Sequence, residues 1–322
     1  MRHVPSRRPL FLGGAVANTA TFAVTTTGAG QTLTINSFGV SAETVVDWGD
    51  GQTNAYTGTA LRTHVYASAG TYTVTINNPQ NVTTFDIRDN KVTLNSADIK
   101  RMVNVVTFIA TGLKAGTFSS ADVSAWRPTT FYLFTMPAGY AGTFSSADVS
   151  AWRPTNFYLH SMPSGYAGTF SSADVSAWRP ADFRLYSMPA GYAGTFSSAD
   201  VSAWRPTTFY LFAMPAGYAF TIAANDFAAW TTTNNFQMQG NALSQAQVDA
   251  ILWGLYQASA VPRTATGGTI NVGGSNAAPS GTFQAPASCP VTSSTPGKEV
   301  AHALLNDGCA VGFNKWATVT TS

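Results

Sequence analysis

The stretch AGTFSSADVSAWRP occurs four times, at 115–128, 141–154, 167–180 and 193–206, each copy starting 26 residues after the last. A strict period in the range of 20–29 residues, held without insertion, restricts the chain to folds that stack one short supersecondary unit on the next. Two partial copies flank the four, TLNSADIKRMVNVVTFIA at 93–110 and FTIAANDFAAWTTTNNFQMQ at 220–239. Within one unit, Ser119 stands where a helix N-cap belongs and Asp122 three residues later completes a capping-box spacing. Phe118 and Val123 have the spacing of a hydrophobic staple, and Pro128 disfavours helix at Arg127, so the spacing predicts a short helix of about two turns. FYLFTM at 131–136 reads as a strand and PAGYAG as a turn. One unit alone cannot bury Phe118, Val123 and Trp126, whereas stacked units can.

The fold class expected from this pattern is β-rich: an N-terminal sandwich followed by an α/β solenoid of strand–turn–short-helix repeats with a parallel sheet. Candidate strands near Phe85, Phe108, Phe131, Phe157, Phe183, Phe209, Phe236, Ile270 and Ala317 form nine rungs, about 40 Å of sheet at roughly 4.8 Å per gap. NALSQAQVDAILWGLYQAS (241–259) and PGKEVAHALLNDG (296–308) are amphipathic helices by apolar spacing, and they mark residues 240–322 as atypical capping coils. The expected organisation is an arm at 1–19, a sandwich at 20–79 and a solenoid at 80–322. The basic start, with a short apolar patch broken by Gly13-Gly14, reads as an arm that docks on a partner rather than a cleaved leader.

Before the repeat, TFAVTTT, QTLTINSF and TYTVTI alternate as strands, and Asp50-Gly51 suits a tight turn. VVDWGDG followed by H-x-Y-x-x-x-G-T-Y-T-V-T-I resembles the PKD domain, an immunoglobulin-like β-sandwich, over residues 20–78. That resemblance implies extracellular or particle-surface spacing and adhesion rather than catalysis. Asp47 and Asp50 could hold calcium, though acids that shape the turn are the commoner use of such positions. Residues 80–320 resemble bacterial and phage leucine-rich-repeat proteins in layout, with sparse leucine and no asparagine ladder.

Only 10% of residues are charged and the formal net charge is +2, against roughly 25% charged in ordinary globular domains. No basic patch argues for nucleic acid, and no apolar run is long enough for a membrane span. Cys289 and Cys309 bracket one predicted helix and form either a disulfide or two thiols. The histidines make no zinc pattern, and no cofactor motif is present. The Asp column at 122, 148, 174 and 200 has a cap at every coil as its use, with a salt-bridged ladder to the Arg column open to it; active sites are rarely copied four times, so no catalytic residue is assigned.

Variation concentrates in the strand. Phe131 and Leu133 never change between the four units, so they face the core. Positions 132 and 134 face outward by strand alternation and carry Tyr132, Phe134, Tyr158, His160, Arg184, Tyr186, Tyr210 and Phe212. Such a ladder either docks sugar rings or a protein partner, or stabilises the sheet by itself. The function expected is therefore non-enzymatic: a structural and adhesion protein on the surface of a phage or phage-like particle, as head fibre, decoration or tail-associated receptor-binding protein. It would contact other virion proteins or copies of itself through its arm and sandwich. The alternative is a bacterial extracellular adhesin or surface filament subunit.

Overall fold

A computed structural model describes residues 18–260, 267–306 and 315–321. The chain is a β-solenoid of about six turns with few helices, and the described residues form nineteen strands. Each repeated coil contributes two strands. The first row is β5 (Val82–Ile87), β7 (Thr107–Thr111), β9 (Thr130–Phe134), β11 (Asn156–His160), β13 (Asp182–Tyr186), β15 (Thr208–Phe212), β17 (Asn235–Gln237), β18 (Thr269–Asn271) and β19 (Thr318–Thr320). These are the nine rungs expected, paired parallel, with Phe131 opposite Phe157 and Phe157 opposite Phe183. The second row is β6 (Val92–Asn95), β8 (Ala115–Ser119), β10 (Tyr140–Ser145), β12 (Tyr166–Ser171), β14 (Tyr192–Ser197) and β16 (Tyr218–Thr221), also parallel.

This second row corrects the α/β expectation. YAGTFS is strand, not turn and cap, and the helix shrinks to a single turn such as Ser120–Val123 or Ala147–Val149. The reason lies in the glycine. Gly142, Gly168 and Gly194 have φ of +139° to +148°. A Cβ at any of the three would meet the carbonyl oxygen of Phe118, Phe144 or Phe170 at 2.0–2.1 Å. Only glycine lets the backbone turn inward there while pairing with the coil below.

The repeated polar residues of the unit then serve stacking rather than capping. Ser119 occupies the N-cap position without a side-chain cap; its hydroxyl lies 3.3 Å from that of Thr143 in the next coil. Ser120 Oγ donates to Asp148 Oδ2 of the next coil at 2.6 Å and accepts from the Ser145 backbone N–H at 2.8 Å. The same arrangement repeats from Ser96–Asp122 through Ser146–Asp174 and Ser172–Asp200 to Ser198–Asp226. A serine–aspartate ladder thus takes the place that an asparagine ladder would hold. The Asp column makes no ion pairs with the Arg column. Arg127 Nη1 donates to the carbonyls of Ser124 and Trp126, closing the end of its own turn, and Arg153, Arg179 and Arg205 repeat this.

The core is a set of columns. Phe108, Phe131, Phe157, Phe183, Phe209 and Phe236 stack at 5.5–5.8 Å centroid spacing. Trp126, Trp152, Trp178 and Trp204 pack against them, all buried.

At the N-terminal end, β1 (Thr19–Thr26) pairs antiparallel with β4 (Gly70–Asn77), and β2 (Gln31–Asp47) with β3 (Thr53–Tyr66). β2 also pairs with β5, and β1 with β6. The two ribbons therefore continue the two solenoid rows, and their shared interior, including Phe22, Ile35, Trp48 and Ile76, runs into the solenoid core. Trp48 stacks on His64 at 4.8 Å, and Tyr66 Oη donates to the Trp48 carbonyl, so the residues that carried the family resemblance form one cluster. Asp47 Oδ1 accepts from Gly49 N–H, and Asp50 accepts from Gln52 N–H and contacts His64 Nε2 at 2.7 Å. Both acids shape the turn.

At the other end the coils change. Helix Gln245–Ala260 lies between β17 and β18, and helix Gly297–Asn306 between β18 and β19. Ser244 and Gln247 form a capping box at the start of the first, and its Val248, Ile251, Leu252 and Leu255 are buried as their spacing predicts. Among the described residues, no helix is long and apolar enough to cross a membrane. Cys289 is disulfide-bonded; Cys309 and the arm up to residue 17 lie outside the described residues.

Candidate functional site

The outward face of the first row holds the eight residues singled out by variation. Strand alternation places them as expected, in two columns along the solenoid. In one, Tyr132 stacks on Tyr158 at 3.9 Å and 8°. The Arg184 guanidinium then lies 4.4 Å over Tyr158 and 5.0 Å over Tyr210, a cation between two ring faces. In the other, Phe134 stacks on His160 at 4.7 Å, His160 on Tyr186 at 4.1 Å, and Tyr186 on Phe212 at 4.3 Å.

A third outward column, at positions 130, 156, 182 and 208, completes the face. Thr130, Asn156, Asp182 and Thr208 vary with the same two-residue spacing as the other columns, which is the signal that identifies them. Asp182 is the centre of this column. It accepts two bonds from Arg184, both at 2.9 Å, and one from the Tyr158 hydroxyl at 2.6 Å. Burial first, and the bond to Asp182 next, raise the Tyr158 hydroxyl well above the ordinary phenol range. The Asp182 bonds likewise raise Arg184, so its guanidinium stays charged across the physiological pH range.

His160 is 7% exposed, more enclosed than an outward position implies. Burial, with the nearby charge of Arg184 as the smaller cause, lowers its pKa from 6.5 to about 4. It is therefore a neutral ring in a stack at physiological pH, with its Nδ1 3.2 Å from the Ser161 hydroxyl.

This geometry decides what the face can do. Stacking a sugar ring requires an open aromatic face. Here the ring faces within each column are covered by the neighbouring rings, and the surface presents ring edges, the Asp182–Arg184 pair and short polar side chains. Edges carry the positive end of the aromatic quadrupole, so they suit carbonyl and hydroxyl oxygens of a partner better than the apolar face of a pyranose.

A cavity of about 480 Å³ lies elsewhere, beside β16, lined in part by Met214, Tyr218, Leu243, Gln247 and Ser275. Its lining carries no carboxylate, histidine or basic side chain. Among the described residues, no group of three or more His, Cys, Asp or Glu could hold a metal ion. No family profile, curated protein or solved structure matches this chain.

Proposed function

We propose that the chain is a non-enzymatic structural and adhesion protein of a phage or phage-like particle, a head fibre, decoration or tail-associated protein whose solenoid projects from the particle surface. The observation that carries this reading is the union of identical stacking parts with a varied outward face. The Ser–Asp ladder, the inward glycine and the Phe and Trp columns repeat without change, which suits a stiff element whose length changes by whole coils. The outward columns differ coil by coil while keeping their own stacking, which suits a contact surface for a host protein or glycan met through ring edges and polar groups.

The N-terminal ribbons are the anchoring end in this reading, together with the arm, and they contact other particle proteins or further copies of the chain. The Trp48–His64–Tyr66 cluster supports kinship with PKD-type immunoglobulin-like modules. The strand-bearing coil supports a looser kinship with leucine-rich-repeat proteins in layout. Mass spectrometry of purified particles and of washed host envelopes tests the reading. Peptides of the chain in particles support it. Their presence in the envelope fraction alone overturns it and favours a bacterial surface adhesin or filament subunit.

A further inference from the structure

We infer that β3 is a self-association edge through which two copies of the chain join their first sheets by antiparallel strand pairing. Among the described residues, β3 pairs with β2 and with no other strand, so it is the outer strand of the row that runs on through β2 and β5. It is 14 residues long, well beyond the short, blunted edges by which sheets avoid joining one another. Thr57, Thr59, Leu61, Thr63 and Val65 alternate on its outward side and are all exposed, Leu61 at 58% and Val65 at 57%. No proline or lysine interrupts Thr53–Tyr66, and no acid lies in it.

The charges in β3 choose the occupant and the register. Arg62 and His64 are its titratable side chains apart from tyrosines, and both are engaged within their own chain. Arg62 lies 4.4 Å over the Tyr56 ring and donates to the Thr57 carbonyl, and His64 stacks on Trp48 and contacts Asp50. A two-fold axis at Arg62 would set two guanidiniums opposite each other, which opposes association. An axis at Leu61 sets Leu61 against Leu61 of the second copy, Thr59 against Thr63, and Arg62 against Ala60. The most exposed apolar side chain is then buried on its own counterpart, and threonines pair across the strands, a favourable cross-strand combination. Because Arg62 already occupies the Thr57 carbonyl and Gly58 leaves the extended region at φ 65°, pairing extends over 59–63, about 17 Å of strand. An interface of that length falls at the weak end of specific association, so the dimer forms reversibly.

This inference specifies the self-contact in the proposed reading and does not depend on where the protein resides; particle location and self-association are read by separate experiments. Sedimentation equilibrium of the full chain over a concentration series tests it. The expected result is a reversible shift from monomer to twice that mass. Leu61→Lys and Leu61→Glu each weaken association at least about 10-fold by placing like charges together, and mixing the two variants restores it. Leu61 is exposed, so both variants keep the wild-type circular dichroism and melting temperature. A wild-type chain that stays monomeric overturns the inference. So does a dimer that both single variants form as well as the wild type. If a chain lacking residues 1–17 dimerises where the full chain does not, the segment itself is the occupant and the second-copy assignment is wrong.

Discussion

The inward and outward sides of the same strands follow opposite rules. Inside, Phe131, Phe157, Phe183 and Phe209 are one residue type repeated, because each ring must fit both the coil above and the coil below at one fixed spacing. Outside, Tyr132, Tyr158, Arg184 and Tyr210 differ, yet the column still closes, since a guanidinium lies over a ring as well as another ring does. The difference teaches that sequence identity in this solenoid is imposed by enclosure and by backbone approach rather than by stacking as such. Where one side is open to water, planar groups substitute for one another.

The sharpest way to break this comparison is to truncate the same coil on both sides. Trp152→Ala removes a fully buried ring packed on Phe131 and Phe144. It is expected to cost about 3–5 kcal/mol in urea unfolding. Tyr158→Ala, on the outward side, is expected to cost no more than about 1–2 kcal/mol, from one ring stack, the Arg184 cation–π contact and one bond to Asp182, all partly open to water. Equal losses would mean that the outward columns are as structural as the core.

The Ser–Asp ladder gives the next largest effect. Ser146→Ala strips a hydrogen bond from Asp174 and leaves the Ser171 N–H without its acceptor. The expected loss is about 2 kcal/mol, because both stranded groups are partly buried. The chain contains its own control. Ala224 stands at the ladder position one coil beyond Ser198, where the Ser198–Asp226 rung is the last. Ala224→Ser is therefore expected to change stability by less than about 0.5 kcal/mol.

Much of this organisation was legible in the sequence, and the misses share one cause. The period, the nine strands of the first row, the inward and outward alternation at 131–134 and the two C-terminal helices all follow from periodic apolar residues, which report burial directly. The second row was missed because AGTFS offers one buried side chain, Phe118, and otherwise small polar residues; its strand character comes from pairing with the coils on either side. Ser119 and Asp122 fit a helix cap by spacing, but the partner of Asp122 is Ser96, 26 residues away. No local window contains that bond. At the face, positions 132 and 134 were visible as variable columns. Asp182 was overlooked although position 182 varies in the same rhythm, since its role becomes apparent only once Tyr158 and Arg184 are seen to converge on it.

His160 supplies the smallest and most specific test, because it is an outward residue enclosed like an inward one. Its pKa in the folded chain, about 4, lies below the unfolded value of 6.5. The unfolded chain therefore binds the proton more readily. Stability from this group is complete above pH 6.5, falls as pH drops from 6.5 towards 4, and is level below that. After allowance for solvent at the face, the loss is about 1–2 kcal/mol. Its counterparts Phe134, Tyr186 and Phe212 carry no such term, so His160→Phe keeps the stack and removes the slope between pH 6.5 and 4. Thermal unfolding of the two proteins at a series of pH values measures the difference. If the His160→Phe curve tracks the wild type throughout, the histidine is not enclosed, and the contrast between the two sides of the strand is simpler than the stacked geometry indicates.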